Sequence, residues 1–159
     1  VKGWSLGLWG QLFTVYAFSG IIAKFIAGFA VDKLSAFRVV PVAAISLVIG
    51  LTVLGFSSQT YAAWVFMIFL GIATGVQSTV SAPFWVEMYG SRHIGSIKSV
   101  TAFSVVARTA VSPAAMGWLI DAGVEMNTIA HGSVLFIILA LASAAIALNK
   151  HKNRNSLPV

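Results

Sequence analysis

The chain has 159 residues, of which 58% are hydrophobic and only 9% charged, with a formal net charge of +6 and no cysteine. A soluble domain carries about 25% charged residues, so this composition, with a mean hydropathy of +0.93, excludes an ordinary water-soluble fold and indicates a membrane chain. The basic residues are scattered between apolar blocks, which argues against nucleic acid as a partner, and the lack of cysteine removes thiolate metal sites and disulfides.

The opening, VKGWSLGLWG, has no initiator Met, no basic n-region and no cleavage site, which leads to the expectation that the chain begins inside a larger protein. Five apolar blocks follow, at about residues 8–31, 39–56, 62–84, 99–120 and 133–148. Each is near the ~20 residues that carry a helix across a ~30 Å hydrocarbon core. The expected fold is therefore all-α. It is a polytopic bundle of five transmembrane helices within residues 1–149, followed by a tail at 150–159. Short connectors between consecutive spans make them antiparallel.

The first block carries Gln11, Thr14, Ser19 and Lys24, and the face of Lys24 also holds Tyr16, Gly20 and Gly28. Lys24 lies eight residues before Asp32, about 12 Å along a helix, so it reads either as a snorkelling lysine or as a cation beside a cavity. The second block has only Ser46 and Thr52 inside it, and the fifth only Ser143, so both read as lipid-facing or peripheral. In the third, Thr74, Gln77, Ser78 and Ser81 share one helical face. The fourth repeats a polar residue every three or four positions, at Thr101, Ser104, Arg108 and Ser112. Such stripes face other helices or a water-filled cavity.

Arg108 stands ten residues beyond Lys98, ~15 Å along the axis and near the bilayer midplane. A charge there costs at least ~2.5–3.5 kcal/mol. All four acids, Asp32, Glu87, Asp121 and Glu125, fall at block ends, so its partner is expected outside this chain, in ordered water or in a ligand.

Orientation follows from the basic residues. Lys33, Arg38, Arg92, Lys98, Lys150, Lys152 and Arg154 lie on one side, with only Lys2 on the other beside Asp121 and Glu125. The first side is expected to be cytoplasmic, which places the C-terminal tail there. Trp4, Trp9, Tyr61 and Trp118 fall near outer ends and Trp85 and Tyr89 near inner ones, as an aromatic belt requires.

The stretch GFAVDKLSAFR places Gly28, Asp32, Lys33 and Arg38 in the pattern Gly-x-x-x-Asp-Lys/Arg-x-Ser/Gly-x-x-Arg. This resembles the cytoplasmic loop signature of the major facilitator superfamily. FWVEMYGSRHIGSIKSV, residues 84–100, is similar to that family's connector before the eleventh helix, and SPAAMGWLIDAG, residues 112–123, to the ending of that helix. The resemblance covers essentially the whole chain and implies helices eight to twelve of a twelve-helix transporter, with helices two to six as the competing register. It implies that Gly28 permits tight helix contact and that Asp32, Lys33 and Arg38 hold a cytoplasmic gate. In the monocarboxylate and oxalate/formate branch a substrate-binding Arg precedes the signature glycine by four positions, where Lys24 stands here. That branch's following Pro is Phe25 in this chain.

The resulting expectation is a secondary transporter of a small organic anion working by alternating access. Lys24 and Arg108 would bind substrate, with Gln77, Ser81, Ser104 and Tyr16 as hydrogen-bonding neighbours. The expected partners are the small-molecule substrate, the lipid bilayer and a missing N-terminal half, and the expected location is the plasma (inner) membrane. A transporter-fold sensor, a channel, or a facilitator for a neutral or drug-like solute are the alternatives. No enzyme, cofactor or metal is expected. There is no phosphate loop or helical zinc pair, and His93, His131 and His151 read as connector or tail residues.

Overall fold

The computed structural model describes residues 6–57, 59–92 and 94–155. They form five helices: α1 (Leu6–Leu34), α2 (Ala36–Phe56), α3 (Thr60–Tyr89), α4 (Ile94–Asp121) and α5 (Met126–Asn155). The first four are long and apolar enough to cross a membrane, and α5 contributes a shorter apolar stretch, Asn127–Ser143. The all-α bundle is as the composition requires.

The helices outrun the apolar blocks. The connector expected at residues 32–38 shrinks to Ser35 alone, and α3 continues through Glu87 to Tyr89. The fifth helix begins at Met126 and runs to Asn155, so the expected tail is helical through that residue. Hydropathy locates the hydrocarbon core, whereas the backbone keeps its internal hydrogen bonds into the polar boundary. Two histidine placements change accordingly. His131 lies in the second turn of α5 and His151 in its last part, while His93 lies outside the described residues.

Packing centres on α3, which carries α1 and α2 on its surface, and α5 packs on α2. The first and third helices run parallel. Leu12 meets Ala63 and Met67 in one buried cluster, while Ala23 and Ala27 meet Val76 and Val80 in the next. Their axes approach closely because glycine faces glycine. A Cβ on Gly75 would stand 2.5 Å from the Gly20 carbonyl oxygen, and one on Gly71 would collide with the Ser19 hydroxyl and the Tyr16 carbonyl. Small residues drive such contacts in lipid, where no hydrophobic gain separates one apolar surface from another.

The same rule governs α2, expected to be lipid-facing or peripheral. It packs between α3 and α5 through Ala36, Val39, Ala43, Ser46 and Gly50, and it exposes Val42, Ile45, Ile49 and Phe56. The Ser46 hydroxyl is satisfied by the Val42 carbonyl at 2.8 Å. Polar content therefore does not report how central a membrane helix is; small side chains do.

At the far end of α2, the His131 imidazole of α5 packs against Gly55 and meets the Phe56 ring edge-on, with centroids 4.9 Å apart. This contact makes α5 antiparallel to α2 and directs its basic C-terminal part back toward the α1–α2 joint. The turn from α4 to α5 is set by a Schellman arrangement. The Val124 N–H donates to the Leu119 carbonyl and the Gly123 N–H to the Ile120 carbonyl, with Gly123 at φ 77°. The fourth helix itself buries no residue and packs appreciably only on α3.

Candidate functional site

The signature stretch forms the joint between α1 and α2. Ser35 is its single non-helical residue, at φ 82° and ψ 152°, a backbone region used almost only by glycine. In that conformation the Ser35 side chain does not cap α2. The buried Ala36 N–H, one of the orphan donors that open any helix, donates instead to Glu87 Oε1 at 2.9 Å. A carboxylate at a helix N-terminus is favourable in itself, since it meets both the N–H group and the positive end of the dipole. The Phe37 and Phe84 rings, 4.9 Å apart, reinforce the same junction, and Trp85 continues the aromatic row. The start of α2 is thereby fixed to the end of α3.

The four signature residues occupy different surroundings. Asp32 and Lys33 are exposed in the last turn of α1. Arg38 is exposed at the end of an apolar cavity of about 470 Å³ between α1, α2 and α3. The close contact expected at Gly28 is not made within this chain, because a Cβ there would meet nothing within 4 Å. The tight glycine contacts are at Gly20, Gly71 and Gly75. The helix N-terminus at the joint is served by Glu87, a residue the signature does not contain. It stands in the last turn of α3, and no sequence signal marks it for this partner.

The polar face expected on the third span is present. Thr74, Gln77, Ser78 and Ser81 are all exposed, opposite the buried Gly71, Gly75, Val76 and Val80. Thr74 and Ser78 direct their hydroxyls to carbonyls of their own helix. Gln77 and Ser81 have no such bond among the described residues, so their polar atoms require a partner from elsewhere. On α4, Ser104 and Ser112 donate to Val100 and Arg108 carbonyls at 2.9 and 2.6 Å, which leaves their oxygen lone pairs free. Arg108 and Lys24 are exposed, and no acid pairs with either among the described residues. Tyr16 is half-buried, its ring against the Leu12 cluster.

These six residues are not gathered into one pocket. Gln77 and Ser81 share α3, Ser104 and Arg108 share α4, and Lys24 and Tyr16 lie on α1, which packs on α3 at the glycine contact. None of the six lines the α1–α2–α3 cavity or a second apolar one of about 640 Å³ between α2, the end of α4 and α5. Among the described residues no group of His, Asp and Glu could hold a metal.

What the arrangement offers is polar side chains on three exposed faces of an otherwise apolar bundle. In hydrocarbon an unpartnered amide or guanidinium is expensive, so these faces must border water, solute or protein. The sequence matches the profile of the Major Facilitator Superfamily over residues 2–159. Searches among curated proteins and among solved structures returned no match. With membrane-length helices and a family match along almost its whole length, the chain is an integral membrane protein and belongs to the Major Facilitator Superfamily, a family of secondary transporters of small solutes.

Proposed function

We propose that this chain supplies helices eight to twelve of a major-facilitator transporter that moves a small organic anion, a mono- or dicarboxylate. The carrying observation is Arg108, exposed fourteen positions into the 28-residue helix α4 with no acidic partner among the described residues. A guanidinium at that depth calls for an anion, and a carboxylate matches its planar fork in a bidentate pair. Lys24 would supply a second cation, with Gln77, Ser81, Ser104 and Tyr16 as hydrogen-bonding neighbours.

In this reading the exposed faces of α1, α3 and α4 border a midplane cavity completed by an N-terminal half, and alternating access rocks one half against the other. Asp32, Lys33 and Arg38 act at the gate, with Gly28 packing against that other half. The basic end faces the cytoplasm and carries the C-terminus, in a plasma (inner) membrane. The α4 face supports the missing half as partner, because nothing among the described residues covers it.

The test is organic-anion uptake by the complete transporter carrying Lys24→Ala or Arg108→Ala. Loss of uptake by at least one protein that still reaches the membrane is expected. Unchanged uptake in both overturns the assignment, and uptake of a neutral solute with no anion competition favours the facilitator.

A further inference from the structure

The cavity between α1, α2 and α3 has an apolar lining that the transport reading does not use, although that reading also employs Arg38, the residue at its end. The first two helices both pack on α3 but meet each other only sparsely, so a cleft remains between them. Its floor is Ile68, Ile72 and Val76 of α3, with the buried Ala23 and Ala27 of α1 beside them. Its walls are the exposed Ile22 and Ile26 of α1 and Val42 of α2. On α1 the lining runs from Ser19 to Leu34, about 22 Å, which exceeds the ~15 Å depth of one leaflet. Arg38 stands at the basic end of this groove. It has no acidic partner among the described residues, and the neighbouring carboxylate, Glu87, is engaged with the Ala36 N–H.

We propose that this groove holds one acyl chain of an anionic phospholipid from the leaflet at the basic end, with the lipid phosphate on the Arg38 guanidinium. The apolar walls exclude a soluble anion as occupant, since such an ion would gain nothing from Ile22, Ile26 or Val42. A zwitterionic headgroup also offers a phosphate, but its own cation offsets the attraction of that phosphate to Arg38. Charge at one end and a leaflet-deep apolar slot behind it together select an anionic amphiphile. The site requires only a bilayer and stands whether or not the transported solute is an anion.

The experiment is native mass spectrometry of the purified, delipidated complete transporter titrated with phosphatidylglycerol or phosphatidylcholine, with helicity checked by circular dichroism. Retention of phosphatidylglycerol should exceed that of phosphatidylcholine by about fivefold, the factor corresponding to ~1 kcal/mol for one basic group near a membrane surface. Arg38→Gln should bring the ratio close to one, while Arg92→Gln, at the same end but outside the groove, leaves it unchanged. Ala30→Phe, which fills the slot and spares Arg38, should weaken retention of both lipids. The proposal is overturned if Arg38→Gln keeps the preference or Arg92→Gln abolishes it equally. Displacement of bound lipid by inorganic phosphate also overturns it. If Arg38→Gln does not fold, undiminished lipid retention by Ala30→Phe overturns it.

Discussion

Glu87 Oε1 accepts the backbone N–H of Ala36 at 2.9 Å, across 51 positions of sequence. The bond ties the first turn of α2 to the last turn of α3 at the point where the α1–α2 joint would otherwise leave a buried donor unmet. Replacing Glu87 with Ala should lower stability by about 1 kcal/mol. This lies below the ~1.5–3 kcal/mol of a hydrogen bond to a charged group, because the carboxylate is solvent-exposed. Glu87→Gln, which keeps an acceptor, should recover part of the loss. Unfolding in mixed micelles with increasing SDS measures both, and equal midpoints for wild type and Glu87→Ala would remove the bond from the account.

Ser35 occupies a backbone region that costs a residue with a side chain about 1–3 kcal/mol. Ser35→Gly should therefore raise the unfolding midpoint by an amount corresponding to ~1 kcal/mol, and Ser35→Val should lower it. A stabilising Val and a destabilising Gly would contradict the backbone argument.

Glycine substitutions should separate packing within the chain from packing against the other half. Gly75→Ala places a methyl 2.5 Å from the Gly20 carbonyl and should destabilise the isolated chain by about 1–3 kcal/mol. Gly28→Ala meets open space and should be neutral or stabilising by ~0.5–1 kcal/mol through helix propensity. In the complete transporter, Gly28→Ala should instead impair uptake if that face contacts the N-terminal half. Identical behaviour of the two variants in the isolated chain would refute the α1–α3 contact.

Helix α4 buries none of its residues, so its amides should exchange with deuterium faster in detergent than those of α3. Without a partner half the chain should also self-associate or be degraded, and co-expression of that half should rescue it. Comparable protection of α3 and α4 in a monodisperse monomer would go against the proposed bipartite assembly.

The exposed polar faces of α1 and α4 carry the cations Lys24 and Arg108, while the acids Asp32, Glu87 and Asp121 sit in the last turns of their helices. If both face the proposed midplane cavity, that cavity would be costly when empty, and exchange of one anion for another would be favoured over proton symport. Proteoliposomes preloaded with substrate and lacking a pH gradient should show strong trans-stimulation. Uptake that requires an imposed proton gradient would exclude exchange.

The helices and their order were legible because hydrocarbon thickness leaves its mark as apolar blocks, and the polar face of α3 because Thr74, Gln77, Ser78 and Ser81 obey helical spacing. The Ser/Gly slot of the signature acquires a reason in the positive φ of Ser35. Glu87 was not legible in its role, because its partner is a backbone N–H that no sequence pattern marks. Gly28 was expected at a close contact from its place in the signature, whereas the contact within this chain is made at Gly71 and Gly75. Their GxxxG spacing was itself readable as a packing motif. The exposed apolar face of α2 agrees with its lack of polar residues, whereas its packing between α3 and α5 was not legible from polar content because small residues decide it.

A joint of one residue also constrains how the chain enters its membrane. With Ser35 alone between α1 and α2, there is no slack by which the first helix could insert and wait while the second remained in water. The two must enter as a preformed hairpin, its tip leading or trailing as a unit. Lys33 and Arg38 flank that tip, and in the proposed orientation their charge would resist its translocation and hold the hairpin on the side where it was synthesised. The residues that mark the finished joint thus also set the direction from which it was built.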